Sequence, residues 1–396
     1  MAERGRLRVG VLFGGRSGEH EVSLRSALTV MSAMDPARYE VVPIGIGRDG
    51  RWYLRDDAMR MLAEKAPQLA ALGGGGVEVS LLPYPGARAL VRAPGRRSER
   101  EAATTAGADR AMPGPLDVVF PIVHGTCGED GTLQGLLELA GVPYVGAGVL
   151  GSAIGMDKDA QKRLLRDAGL PIVRYGAIRA SDWRVDPEIG RRIADPLGYP
   201  VFVKPNALGS SIGVARVDNA EGLAGALADA FRYDRKALIE AACQGRELEC
   251  AVLGNDRAEA SVIGEIVVGG GHDFYSYESK YVDPNGAKVR IPAELPPAIS
   301  EHLRALAVAA FAALDLRGMA RVDFLATRSA SEVYINEVNT IPGFTAISMY
   351  PKLWEASGLE LPKLIDRLIA LAIEDFDERA ALEFTYSPKP GTPRAD

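Results

Sequence analysis

The sequence predicts a parallel α/β layer at the N-terminus followed by an antiparallel α+β second half. Three observations predict it. Leu7 to Phe13 is a mostly apolar run, Val22 to Ala33 has helical spacing, and Val41 to Ile46 is a second apolar run. That strand–helix–strand order implies parallel pairing. In the second half, Glu247 to Leu253, Ser261 to Val268, Met319 to Ala326 and Val333 to Val338 alternate like half-buried strands. The chain of 396 residues is long enough for two or three domains, and it shows no internal repeat.

The elements follow in order. Gly14 and Gly15 stop the first strand. Val118 to Val123 is a further strand, succeeded by a glycine-rich turn and a helix from about Leu133 to Ala140. Between Gly73 and Pro115 glycine, proline, alanine and arginine dominate, and only Val77 to Leu82 reads as a strand. Most of that segment reads as a surface insertion. Its arginines Arg92, Arg96, Arg97 and Arg100 fit a solvated loop face better than a basic binding patch. A helix from Asp157 to Ala168 stops at Gly169 and Pro171. Val201 to Val203 is a short strand closed by Lys204, and an alanine-rich helix lies within Pro292 to Leu314.

Composition excludes several classes. The chain is 47% hydrophobic and 25% charged, too apolar for a disordered protein. A net charge of −6 argues against a general nucleic-acid binder. Three cysteines without CxxC spacing and four histidines without HExxH give neither a disulfide framework nor a zinc site. The longest apolar run, Ala305 to Leu314, is far short of the roughly 20 residues that span a bilayer. The first apolar stretch has the length of a strand, not of a signal-peptide core. The expectation is a cytoplasmic protein with reduced thiols and no membrane partner.

Several segments carry chemistry. There is no GxxxxGK[ST] loop. Gly146 to Gly151 matches GxGxxG, but the acid a dinucleotide fold needs is missing: Asp167 sits inside a helical stretch. Lys204 closes a strand and points a charge beyond it; the turn Gly209-Ser210-Ser211-Ile212-Gly213 then offers consecutive N–H groups and two hydroxyls. Such a turn can close over phosphates, or it can be a plain hairpin loop with a solvated lysine. Residues two apart on a strand share a face, so Arg321 pairs with Asp323 and Glu337 with Asn339. Adjacent strands would gather hard oxygen ligands suited to Mg²⁺. The alternative is the polar outer face of a sheet, and the stiff, uncharged loop Thr340 to Thr345 argues against it. Two glycine turns, at 14–23 and 124–131, follow strands, where open α/β sheets bind ligands. Glu19 is placed to meet a substrate ammonium, although acids also favour helix starts. His124 reads equally well as a structural histidine.

In order, these segments resemble the D-alanine–D-alanine ligases of the ATP-grasp superfamily. The matching motifs are Gly-Gly-x-Ser-x-Glu-x-x-Val-Ser (14–23), His-Gly-x-x-Gly-Glu-Asp-Gly (124–131) and Met-Asp-Lys (156–158), then Lys-Pro (204–205) with Gly-Ser-Ser-x-Gly (209–213). Glu-Ser-Lys-Tyr (278–281), Arg-x-Asp (321–323) and Glu-x-Asn-Thr-x-Pro-Gly (337–343) complete the set. The match covers nearly the whole chain except Gly73 to Pro115 and the tail after about Ala372.

The resemblance implies an ATP-grasp fold: an N-terminal parallel α/β substrate-binding domain (1–147), a central ATP-grasp domain (148–240) and a C-terminal ATP-grasp catalytic domain (241–396). It implies ATP-dependent ligation of two D-alanine molecules through an acyl phosphate, for bacterial peptidoglycan and hence cell-wall synthesis. It also implies two Mg²⁺ ions, with Mn²⁺ as a substitute, and a homodimer. By position, Lys158 and Lys204 would hold the α- and β-phosphates, with Ser210, Ser211 and Ile212 in the loop above them. Glu240 matches the adenine contact, Glu247 the ribose contact, and Asp323, Glu337 and Asn339 the metal ligands. Lys280, in the closing loop from about Phe274 to Arg290, would reach the γ-phosphate. Arg321 and the Gly343 N–H would stabilise the oxyanion, in chemistry that rests on positioning and electrostatics. Glu19 would hold the first D-alanine's ammonium and Ser348 the second's carboxylate; Glu19, Ser210 and Tyr281 resemble the family's hydrogen-bonded trio.

Ala320, Ala241 and Ile341 depart from residues that some members carry, and the histidine some use near the first D-alanine has no place in this sequence, where the insertion is expected to replace that part of the site. Tyr281 argues against a D-alanine–D-lactate ligase, and Glu19 and Ser348 against a ligase for another substrate. The full set Lys204, Arg321, Asp323, Glu337 and Asn339 argues against a non-catalytic sensor.

Overall fold

The computed structural model describes residues 5–55, 58, 62, 76–86, 88–93, 114–269 and 287–385. Among these, the strands form three sheets. The first contains β1 (Leu7–Gly14), β2 (Tyr39–Ile46), β3 (Trp52–Leu54), β4 (Val77–Leu81), β5 (Leu90–Arg92) and β6 (Val118–Ile122), in the order β5-β4-β3-β2-β1-β6. β1 pairs in parallel with both β2 and β6. Val9, Val11, Leu12 and Phe13 are fully buried, as expected for a strand covered on both faces. Helix α1 (His20–Ala33) covers one face with Leu24, Ala27, Val30 and Met31. Helix α2 (Thr132–Ala140) lies over the other with Leu133 and Leu137.

The segment read as an insertion is partly a structural element. It adds β4 where a strand was expected and β5 where none was, both antiparallel, so the parallel core carries an antiparallel edge. Leu81 and Leu90 face each other across that pair and are buried. Two apolar residues in so short a run carry no period, which is why β5 is invisible in the sequence. Arg96, Arg97 and Arg100 lie outside the described residues.

From residue 146 the chain enters α3 (Val149–Met156) and α4 (Lys158–Asp167). The GxGxxG segment is therefore a helix entry, and Gly151 packs where a Cβ would meet Leu316 at 2.8 Å and the Asp315 carbonyl at 3.0 Å. The second sheet contains β7 (Tyr175–Arg179), β8 (Val201–Pro205), β9 (Ala215–Val217) and β10 (Lys236–Ala241), in the order β7-β10-β8-β9. Short helices α5 (Ala180–Val185) and α6 (Ile189–Ala194) follow β7, and α7 (Ala220–Ala230) follows β9. Leu223 and Leu227 of α7 pack on Val201, Val203 and Ile239.

The third sheet is wholly antiparallel: β11 (Gly245–Gly254), β12 (Glu259–Val268), β13 (Ala287–Arg290), β14 (Gly318–Thr327) and β15 (Val333–Asn339), in the order β13-β12-β11-β14-β15. Helix α8 (Pro297–Ala313) packs Leu303, Ala307, Ala310 and Phe311 onto it. After α9 (Met349–Ala356), the 20-residue α10 (Leu361–Ala380) buries Leu364, Ile365, Leu368 and Ile369 in a core shared with β1 and β6. Asp366 of α10 accepts from Tyr39 Oη at 2.7 Å and pairs with Arg38. Among the described residues no helix is long and apolar enough to cross a membrane, and all three cysteines are free thiols.

Candidate active site

Two cavities adjoin, one between the second and third sheets and one where the turns after β1 and β6 meet the third sheet. One, about 660 Å³, is lined by Lys158, Phe202, Lys204, Glu240, Glu247, Phe324 and Leu325 among others. The other, about 850 Å³, is lined by Glu19, His124, Glu129, Asn339, Gly343 and Ser348 among others. Lys158, Ser210, Glu249, Arg321 and Glu337 line both, so the cavities adjoin there.

The turn after β1 positions Glu19. Gly14 has φ 95°, and a Cβ there would lie 2.3 Å from the Ile46 carbonyl, so only glycine turns the chain at this point. The Gly14 N–H donates to Ser23 Oγ at 2.7 Å, and the Glu19 N–H to Ser17 Oγ at 3.2 Å. Glu19 then accepts from the hydroxyl of Ser210. Ser210 and Ser211 both adopt positive φ, 55° and 57°, in the loop after β8. Two members of the expected trio are thus in contact. Tyr281 and Lys280, with most of the loop 274–290, lie outside the described residues.

Lys158 sits at the wall between the cavities, and Lys204 lines the first. Lys158 Nζ donates to the Leu208 carbonyl at 2.9 Å and lies 3.2 Å from Glu337 Oε2. Lys204 Nζ lies 2.7 Å from Glu240 Oε2. Burial opposes the Lys204 charge, but Glu240 and Glu337 outweigh it and hold its pKa above the usual lysine value. Burial likewise opposes the Glu240 charge, and Lys162 and Lys204 overcome it. Glu240 is therefore 2% exposed and clamped by two cations, with Lys162 Nζ at 3.3 Å from its Oε1.

On the third sheet, register places Asp323 opposite Glu337 and Arg321 opposite Asn339. The same-face reading of both pairs holds. Arg321 grips Asp323 through Nε–Oδ1 and Nη2–Oδ2, both 2.7 Å, and Asn339 Nδ2 donates to Asp323 Oδ2 at 2.9 Å. Two carboxylates and an amide oxygen on neighbouring strands are hard donors of the type Mg²⁺ takes, together with substrate phosphates. The adjoining lysines suit those phosphates, so the residues fit both nucleotide and metal.

The loop after β15 closes the second cavity. Ser348 Oγ accepts from the Thr345 N–H at 2.9 Å, and a Cβ on Gly343 would meet that oxygen at 2.7 Å. Glycine at 343 therefore keeps both its own N–H and the serine hydroxyl beside the cavity. His124 bonds to Ser26 Oγ (3.3 Å) and to the Ile341 carbonyl (3.0 Å), and burial pushes its pKa down against the charge of Glu19. Glu129 accepts the Gly125 N–H at 2.6 Å and the Ile341 N–H at 3.1 Å. Burial and the charge of Glu19 nevertheless raise its pKa to about 8.

Four site residues were not singled out from sequence as site residues: Lys162, Glu129, Glu249 and Asn336. Lys162 stands one helical turn from Lys158, and Glu249 shares a strand face with Glu247, so period alone links them to residues already named. Asn336 accepts from Lys162 through its carbonyl at 3.0 Å.

A family model described as D-ala D-ala ligase N-terminus matches residues 8–147, and one described as D-ala D-ala ligase C-terminus matches 164–370. A D-alanine–D-alanine ligase of Oceanobacillus iheyensis is 47% identical over 369 residues, 93% of this chain and 95% of the relative. The solved D-alanine–D-alanine ligase from Coxiella burnetii superposes with a TM-score of 0.79 at 37% identity, covering 95% of this chain and 96% of that one. The solved VanG D-Ala:D-Ser ligase from Enterococcus faecalis gives 0.77 at 32% identity, covering 93% and 99%.

Proposed function

The chain belongs to the D-alanine–D-alanine ligase family, and from that premise we propose how its two adjoining cavities divide the reaction. The protein is an ATP-dependent ligase that joins two D-alanine molecules for peptidoglycan synthesis. A carboxylate oxygen of the first D-alanine takes the γ-phosphoryl group of ATP and ADP leaves. The amine of the second D-alanine, having lost a proton, attacks the acyl phosphate, and the tetrahedral intermediate expels phosphate.

The first cavity takes the nucleotide. Lys158 and Lys204 bind its α- and β-phosphates, Ser210 and Ser211 cover them, and Glu240 and Glu247 face the adenine and ribose. Supporting this, all six line that cavity. Glu240 lies on the wall that faces the base, with its carboxylate held by Lys162 and Lys204. The second cavity takes the amino acids: Glu19 holds the first ammonium and Ser348 the second carboxylate. Arg321 and the Gly343 N–H receive the charge that develops on the carbonyl oxygen, where fixed donors act most strongly. Asp323, Glu337 and Asn339 would hold two Mg²⁺ ions. When bound, these supply charge neutralisation of the transferring phosphoryl group. The single observation that carries this reading is the set Lys158, Ser210, Arg321 and Glu337 lining both cavities, so a phosphoryl group crosses no gap.

Three units correspond to these roles: 1–147 for the first substrate, 148–240 and 241–396 for the nucleotide, supported by one sheet in each. The working form is a homodimer in the cytoplasm. The test is an amino-acid panel with ATP and Mg²⁺, scored for ADP release and product mass, with D-serine and D-lactate as alternative acceptors. D-alanine alone should give D-alanyl-D-alanine, and L-alanine nothing. ADP release with another amino acid and none with D-alanine overturns the substrate assignment.

A further inference from the structure

Glu249 has none of the roles above, yet it occupies the centre of the site. It stands on β11 directly opposite Asp323 of β14, is 5% exposed, and lines both cavities. Its strand neighbours Leu248 and Cys250 are fully buried in the core. A carboxylate in such a place is costly unless a cation faces it. Among the described residues Arg321 faces it, with Nε 3.0 Å from Glu249 Oε2.

Arg321 thus serves two carboxylates, and one of them belongs to the proposed metal set. Asp323 Oδ2 accepts from both Arg321 Nη2 (2.7 Å) and Asn339 Nδ2 (2.9 Å), which fills the lone pairs of that oxygen. A divalent cation that takes this oxygen of Asp323 must therefore displace Asn339 Nδ2 or loosen the grip of Arg321. An arginine released beside a new dication would be repelled from the substrate cavity if Asp323 were its sole counter-charge. With Glu249 on its other side, the charges still balance: Arg321 and Glu249 remain a neutral pair after Asp323 has changed partner.

We propose that Glu249 is a positioning residue that holds the Arg321 guanidinium at the junction of the cavities when Asp323 turns to the cation. This rests on the metal and oxyanion roles assigned above. It adds a partner-exchange step that those roles alone do not contain.

The test uses Glu249→Gln, which keeps shape and removes charge, and Glu249→Asp, which keeps charge at shorter reach. Mn²⁺ binding in the presence of ADP, without D-alanine, is measured by electron paramagnetic resonance and needs no turnover. Residues that orient active-site groups from behind typically cost about 10–100-fold when lost. Glu249→Gln should therefore bind Mn²⁺ roughly tenfold more weakly and lose about 10–100-fold in kcat, with the KM for ATP nearly unchanged; Glu249→Asp should recover part of both. Wild-type Mn²⁺ affinity and kcat in Glu249→Gln, whatever its melting temperature, overturn the proposal. Should circular dichroism show Glu249→Gln unfolded, Glu249→Asp decides: a parallel partial loss of affinity and kcat supports the role, and unchanged values overturn it. Failure of the wild type to make dipeptide would overturn the functional reading instead, so the two failures are distinguishable.

Discussion

The hydroxyl of Ser210 donates to the carboxylate of Glu19, a contact between residues 191 positions apart. It ties the loop over the nucleotide cavity to the turn that leads into the first helix. A hydrogen bond to a charged group is worth about 1.5–3 kcal/mol. Ser210→Ala should therefore lower kcat/KM for D-alanine by on the order of 10–100-fold. Alanine and serine meet the same constraint at φ 55°, so the backbone cost largely cancels. Steady-state kinetics with unchanged kcat/KM would show the contact to be incidental.

Asp323→Ala and Asn339→Ala should move the Mg²⁺ dependence to higher concentration and cut the rate by roughly two orders of magnitude. The fold should persist, because both side chains face the site and not the core behind the sheet. Circular dichroism checks the fold, and a Mg²⁺ titration of activity checks the role. A well-folded Asp323→Ala protein with the wild-type metal response refutes it.

Arg321→Ala should lower kcat about 10²–10³-fold, far more than it raises the KM for ATP, since an oxyanion donor acts in the transition state. A change confined to the KM for ATP would make Arg321 a nucleotide contact.

Glu129 gives a pH signature. Its folded-state pKa stands at about 8 against an ordinary 4.5, with burial and Glu19 as causes and Arg321 opposing them. Between those values the folded protein holds a proton that the unfolded chain has released. The resulting stabilisation is complete below about 4.5 and is lost as pH rises through about 8. The melting temperature of the wild type should therefore fall more steeply between pH 5 and 8 than that of Glu129→Gln. Parallel curves would remove Glu129 as the source.

What the sequence revealed and concealed follows from how each residue finds its partner. Glu19, Arg321, Asp323, Glu337 and Asn339 sit in short motifs whose spacing already puts them on a shared face or at a strand end, and they converge as expected. Lys162 reads as an ordinary helix-surface lysine. Its burial depends on Glu240, on a strand that nothing local connects to it. Glu249 looks like the polar half of an alternating strand until Arg321 is seen beside it. Strand β5 is held by its pairing with β4, not by any period of its own. Long-range partners decide these cases, and one sequence does not display them.

Helix α10 places an order on the birth of the molecule. Its apolar face closes the core over β1 and β6, strands made at the start of synthesis, while Arg379 near its end pairs with Glu138 of α2. An emerging polypeptide therefore has α1 and α2 on its first sheet but leaves the core beside α1 and β6 incomplete until α10 has been made. A message truncated before codon 361 would yield a product whose core beside α1 and β6 stays open, a substrate for chaperones and proteases and not a smaller working enzyme.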